Sequence, residues 1–114
     1  MTNAIYNLMI QNGPPIFYDD KFRVVIETHL SYLRTHPTTA VFELDPHDAY
    51  KHEGDFFGLL LSLNQPAHLH WIIMRVNFFT SPTEMTQDFL KLMIPATEEI
   101  ENIRRLYMVT HKIS

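Results

Sequence analysis

None of the 114 residues is a cysteine, so neither disulfides nor thiolate-bound metal can staple this chain, and side-chain packing alone must hold it. The material for a core is present. Hydrophobic residues make up 46% and charged ones 19%, the balance of a folding chain rather than a disordered one, and the length suits a single domain. Thirteen Asp and Glu against nine Lys and Arg give a formal charge of −4, and the basic residues scatter from Lys21 to Lys112, so nucleic acid is not an expected partner. The longest apolar stretches, Phe56–Leu63 and Trp71–Phe79, fall well short of the roughly 20 residues that cross a bilayer. Met1–Tyr18 lacks the basic start and small-residue cleavage site of a secretory signal. A soluble protein with no membrane partner is expected.

Residues 1–18 read as an extended arm. The apolar run Ile5-Tyr6-Asn7-Leu8-Met9-Ile10 is followed by Asn12-Gly13-Pro14-Pro15, where two prolines block helix and sheet hydrogen bonds. Such an arm either packs back on the domain or lies on a neighbouring subunit. Residues 19–114 read as one domain. Phe22, Val25, Ile26, His29, Leu30 and Leu33 fall at helical spacing from Asp19-Asp20 to Arg34, ahead of Pro37, although β-branched Val24-Val25-Ile26 also suits a strand. Thr38–Leu44 alternates, with Ala40, Phe42 and Leu44 on one face, and predicts a strand that ends in the turn Asp45-Pro46-His47-Asp48. After the short polar stretch Ala49–Glu53 comes Gly54-Asp55, where Asp55 is a suitable N-cap for the apolar run Phe56–Leu63. A second helix is predicted from about Ala67 to Phe79, apolar on most sides. Thr80-Ser81-Pro82-Thr83 is a turn, and Leu90–Ile94 is a second strand, able to pair with the first, that Pro95 ends. Thr97 caps a final helix, about 97–111, with acids at its start, bases toward its end, and Ile100, Ile103 and Tyr107 on its inner face. The fold class is α+β, with the order strand, helix, helix, strand, helix.

Gly54-Asp55 before the first of these two helices, Asn77 near the end of the second, and Leu92-Met93-Ile94-Pro95 at the end of the second strand occur in that order over residues 40–95. In this the chain resembles the LysM module, and especially the LysM-like proteins of phage tail baseplates. His70-Trp71-Ile72-Ile73 with Asn77, and the turn at Ser81-Pro82, further resemble a segment of baseplate wedge proteins. The resemblance covers about half the chain. It implies a LysM-like strand-helix-helix-strand core at about 40–95, and a structural subunit of a bacteriophage tail or baseplate. That subunit would be assembled in the host cytoplasm, have no enzymatic activity or cofactor, and have other tail proteins or copies of itself as partners. Its alternative is a module that binds peptidoglycan. Sugar-binding members follow Gly-Asp with Thr or Ser and carry a Gly-rich loop before the last strand, whereas this chain has Phe56 and Thr86-Gln87-Asp88 there.

The residues themselves point the same way. Aromatic anchors concentrate interface energy, and the second helix with Phe78-Phe79 offers more apolar face than a small module covers. Ile5, Tyr6, Leu8, Phe56, Phe57, Trp71, Phe78 and Phe79 are the expected contact residues. Gly54, Asp55, Asn77, Ile94 and Pro95 are the expected structural motif, serving as caps and a strand breaker, with Asn77 closing the second helix in a left-handed conformation. Catalysis is not expected, for Ser31, Ser62 and Ser81 lack a nucleophile elbow and the three glycines form no phosphate loop. A metal-dependent enzyme is the weakest reading. It would draw on Asp45, His47, Asp48, His52, Glu53, Asp55, His68 and His70, but on a helix His68 and His70 point about 200° apart, and no metal site is expected.

Overall fold

The two predicted strands pair. Ala40–Glu43 (β1) runs antiparallel to Lys91–Ile94 (β2), from Ala40 opposite Ile94 to Glu43 opposite Lys91. The computed structural model describes residues 15–111. Within them the chain is a compact α+β domain of this one sheet and six α-helices. The helices are α1 (Asp20–Thr28), α2 (Leu30–Thr35), α3 (Pro46–Lys51), α4 (Phe56–Ser62), α5 (His70–Val76) and α6 (Thr97–His111).

Pro15–Tyr18 corrects the expectation of an arm over residues 1–18. It is a 3₁₀ turn, and Phe17 is fully buried against the ring of Phe22 at 5.4 Å. The indole Nε1 of Trp71 donates to the Phe17 carbonyl at 3.0 Å, so the turn is fixed to the body. Ile5, Tyr6 and Leu8 lie outside the described residues.

The single helix predicted from Asp20 to Arg34 breaks at His29. Both Thr28 Oγ1 and His29 Nδ1 lie within hydrogen-bond distance of the Val25 carbonyl, at 2.8 and 2.7 Å, the carbonyl that would otherwise carry the helix through His29. The chain there turns to φ −107°, ψ 8° and restarts as α2. The turn predicted at Asp45–Asp48 is the start of α3, which runs into the polar stretch as far as Lys51. Asp45 Oδ1 accepts from His47 N at 2.9 Å, Pro46 occupies the first turn, and Ala49 is the one residue of the helix that is buried.

Gly54 has φ +73° and donates its N–H to the Met85 carbonyl at 2.8 Å. Asp55 then caps α4 as expected, accepting from Gly58 N at 3.0 Å. The helix closes with Asn64 at φ +63°. Asn64 N donates to Leu61 O and Gln65 N to Leu60 O, both at 3.0 Å, which is the Schellman arrangement. The helix predicted from Ala67 to Phe79 is shorter in the structure, with a 3₁₀ turn at Ala67–Leu69 leading into α5.

The end of α5 carries a further correction. Asn77 was expected to close it in the left-handed conformation, but Asn77 has φ −89° and the left-handed residue is Phe78, at φ +71°. Phe78 N donates to Arg75 O at 3.0 Å and Phe79 N to Met74 O at 3.1 Å, a second Schellman closure. That leaves the Asn77 amide free for another task. Its Nδ2 donates to Ile73 O at 2.7 Å and to Met93 O at 2.8 Å, while its Oδ1 accepts from Met93 N at 2.8 Å. One buried side chain thereby ends α5 and occupies the outer edge of β2.

Thr97 is likewise not the cap of α6 but its first helical residue. The Ala96 carbonyl accepts from Glu99 N and Ile100 N. Ile100, Ile103 and Tyr107 form the buried face as predicted, and the preceding Ile94-Pro95 carries the chain inward, with Pro95 buried.

Two stability measurements check these capping roles. Asn77→Ala leaves the Met93 backbone groups unsatisfied and is expected to cost about 3 kcal/mol in urea unfolding. At Gly58 an added Cβ would lie 2.1 Å from Asp55 Oδ2. Gly58→Ala therefore trades a gain in helix propensity of about 1 kcal/mol for loss of the cap, and should be near neutral. In an Asp55→Ala background the same change should stabilise by about 1 kcal/mol, because no cap remains to displace.

Candidate partner-binding surface

The expected contact residues divide sharply. Phe56 has no exposed surface, and its ring meets Phe79 at 5.2 Å and Phe89 at 5.9 Å. It is a core residue rather than a contact, because the Asp55 cap turns the first residue of α4 inward. Phe57, Trp71 and Phe79 are half-buried around that core. Phe78 is 66% exposed, and it is the residue in the left-handed position.

Arg34 holds that corner. From the last turn of α2 its Nε donates to Val76 O at 2.9 Å and its Nη2 to Arg75 O at 2.7 Å, so a cation satisfies the final carbonyls of α5. The same guanidinium lies 3.7 Å from the centre of the Phe78 ring. Burial lowers the Arg34 pKa, with the nearby Arg75 cation adding to the effect.

On the adjoining face Arg75 forms a two-point ion pair with Glu27. Nε meets Oε2 at 2.7 Å and Nη2 meets Oε1 at 2.9 Å, while Nη1 donates to Phe79 O at 2.9 Å. The hydrogen bond from Arg75 holds the Glu27 carboxyl below its ordinary value and raises that of Arg75. This pair lies on a cleft of about 340 Å³ shared with Arg23, Phe57, Trp71 and Thr80. The Arg23 guanidinium lies 5.4 Å from the Trp71 ring.

Phe42, Leu44, Leu63 and Ile94 line an apolar groove of about 250 Å³ together with Glu43, Asp45, Asp48 and Gln65. All of β1 is exposed, Val41 by 61% and Phe42 by 49%, so the face predicted for Ala40, Phe42 and Leu44 is covered over β2 but left open over β1.

Several of the titratable side chains serve the fold. Asp45 and Asp55 are helix caps, the His68 ring packs edge-on to Phe17 at 4.7 Å, and His70 Nε2 lies 2.8 Å from Gln65 O. Among the described residues no three His, Asp or Glu side chains come together to hold a metal ion. Ser62 spends its hydroxyl on Leu59 O, and Ser81 caps the turn at Thr83. The buried Glu99 joins α2 to α6, accepting from Tyr32 OH at 2.6 Å and lying 3.4 Å from His36 Nε2; this hydrogen bond raises the Tyr32 pKa. Neither the Arg34–Phe78 corner nor the Tyr32–Glu99 tie has a signature in the sequence, since each joins residues more than forty positions apart.

The Glu27–Arg75 pair predicts an acid response of known sign. A carboxyl held below its ordinary value of 4.5 contributes its full stabilisation above that pH and loses it as pH falls through the lowered value. Glu27→Gln should therefore be less stable than wild type at neutral pH, with urea midpoints that converge with those of wild type in acid. No protein-family model, curated protein or solved structure matches the chain.

Proposed function

We propose that this chain is a non-enzymatic structural subunit of a bacteriophage tail or baseplate. It would be built on a LysM-like core at about residues 40–95 and act through apolar contacts with other tail proteins or further copies of itself. The order of β1, α4, α5 and β2, with Gly54-Asp55, Asn77 and Ile94-Pro95 at the junctions, supports the LysM-like part of this reading. The helix α3 is an addition between the first strand and the first of the paired helices.

Phe78 carries the assembly part. The position after the end of a helix in a Schellman closure suits glycine, and a bulky residue held at positive φ costs on the order of 1–3 kcal/mol. Here a large aromatic ring stands at φ +71°, two-thirds exposed, steadied by Arg34. The backbone gains nothing from that ring. A partner does, for covering one phenylalanine contributes on the order of 1.5–3 kcal/mol and the ring is already fixed in place before binding.

In the proposed mechanism such preformed apolar groups are buried at subunit junctions. Phe78→Gly should leave the monomer within about 1 kcal/mol of wild type, since relief of the strained backbone offsets loss of the cation–π contact. The same substitution should abolish association seen by analytical ultracentrifugation with the co-expressed tail components. Wild-type protein absent from purified phage particles of the host, as judged by mass spectrometry, would defeat the proposal.

The second reading, glycan binding, draws on the cleft at Trp71, where an aromatic ring adjoins Arg23, Glu27 and Thr80. Saturable pull-down on insoluble peptidoglycan that is lost in Trp71→Ala would favour it over assembly.

A further inference from the structure

The two edges of the sheet differ. Leu44 N donates to Leu90 O at 2.8 Å, which extends the register by one pair. The alternation of an antiparallel ladder then directs the backbone groups of Ala40, Phe42 and Leu44 toward β2, and those of Val41 and Glu43 away from it. On β2 the outward residue Met93 has its N–H and its carbonyl both taken by Asn77. Among the described residues nothing plays that part for Val41 and Glu43, and all of β1 is exposed.

Free pairing groups beside an apolar groove suit an extended chain, whose backbone bonds the edge while every second side chain turns toward the groove. Ala40, Phe42 and Leu44 share one face of β1, and Leu63 and Ile94 complete the groove with them, whereas Val41 and Glu43 share the other. Charge selects the occupant. Glu43, Asp45 and Asp48 line the groove, no basic residue does, and none of the three carboxylates joins an ion pair among the described residues. Lys91 stands opposite Glu43 in the register yet makes no ion pair with it. A second copy pairing through the same edge would bring two such acidic sets together, and like charges repel. A segment that carries Lys or Arg is attracted instead.

We propose that the outer edge of β1 is a docking site for an extended segment of a partner protein in which apolar and basic residues alternate. The segment bonds Val41 and Glu43 as an added strand. Its apolar side chains lie alongside Ala40, Phe42 and Leu44, and its basic ones lie beside Glu43 and, past the end of the strand, Asp45 and Asp48. The inference does not depend on which assembly, if any, the protein joins.

Nuclear magnetic resonance titration of the isotope-labelled full-length chain with the probe acetyl-Lys-Val-Lys-Ile-Lys-Val-Lys-amide tests it. The Val41 and Glu43 amide signals should move saturably, with a Kd on the order of 100 μM. A probe with Glu in place of every Lys should not bind, and one with the lysines and the apolar residues in separate blocks should bind at least about 10-fold more weakly. Glu43→Gln combined with Asp48→Asn should weaken binding about 10-fold. Val41→Pro removes only an outward N–H, so it should abolish binding with the α5 amides unchanged. Methylating the backbone nitrogens along the bonding edge of the probe asks the same question without altering the protein, and should also abolish binding. No saturable shift at Val41 and Glu43 up to about 1 mM probe overturns the proposal. So does equal binding of the acidic or methylated probe, binding that survives Val41→Pro in the folded protein, or a dimer formed through β1 without any probe.

Discussion

A carboxamide made of three heavy atoms decides how helix and sheet meet in this domain. The Asn77 side chain supplies one acceptor and two donors, and all are used: on Ile73, where α5 ends, and on both backbone groups of Met93 in β2. Without it the second strand would have a bare edge inside the protein, where unpaired N–H and carbonyl groups are costly. With it, a two-stranded ribbon that is marginal by itself becomes part of a packed body. The register of β1 on β2 then determines which side chains face the groove and which face solvent.

The corner beyond Asn77 divides stability from interaction. Asn77 and Arg34 satisfy the end of α5 through polar groups, which frees the following residue from any role in the core. Phe78 fills that position with a ring that the fold does not need. Its neighbours Phe79 and Phe56 turn the other way, into an aromatic cluster with Phe89. Aromatic residues that look alike in sequence thus take two different roles, Phe78 outward at its left-handed position and Phe56 and Phe79 in the aromatic cluster.

This explains how much could be read beforehand. The β1–β2 pairing, the Asp55 cap, the buried face of α6 and the α+β class were legible, because each rests on periodicity or on a cap within a few residues. The break at His29 was not, since it arises from two side chains competing for one carbonyl in a segment whose apolar spacing is continuous. The helix α3 was missed because it buries only Ala49, and its signal lay in Asp45 and Pro46, residues that equally suit a turn. The contact surface was half legible. Composition revealed the surplus of aromatics, but the outward position of Phe78 depended on its own left-handed backbone and on Arg34, more than forty positions away.

The tie between Trp71 and the carbonyl of Phe17 bears on cooperativity. α5 has seven residues, too few to persist as a helix in isolation, and it is held at its start by a turn 54 positions earlier and at its end by α2 and β2. The segments before and after residue 40 therefore have no independent folding unit between them. Loss of either anchor exposes the same helix, which couples the unfolding of the segments on either side of it.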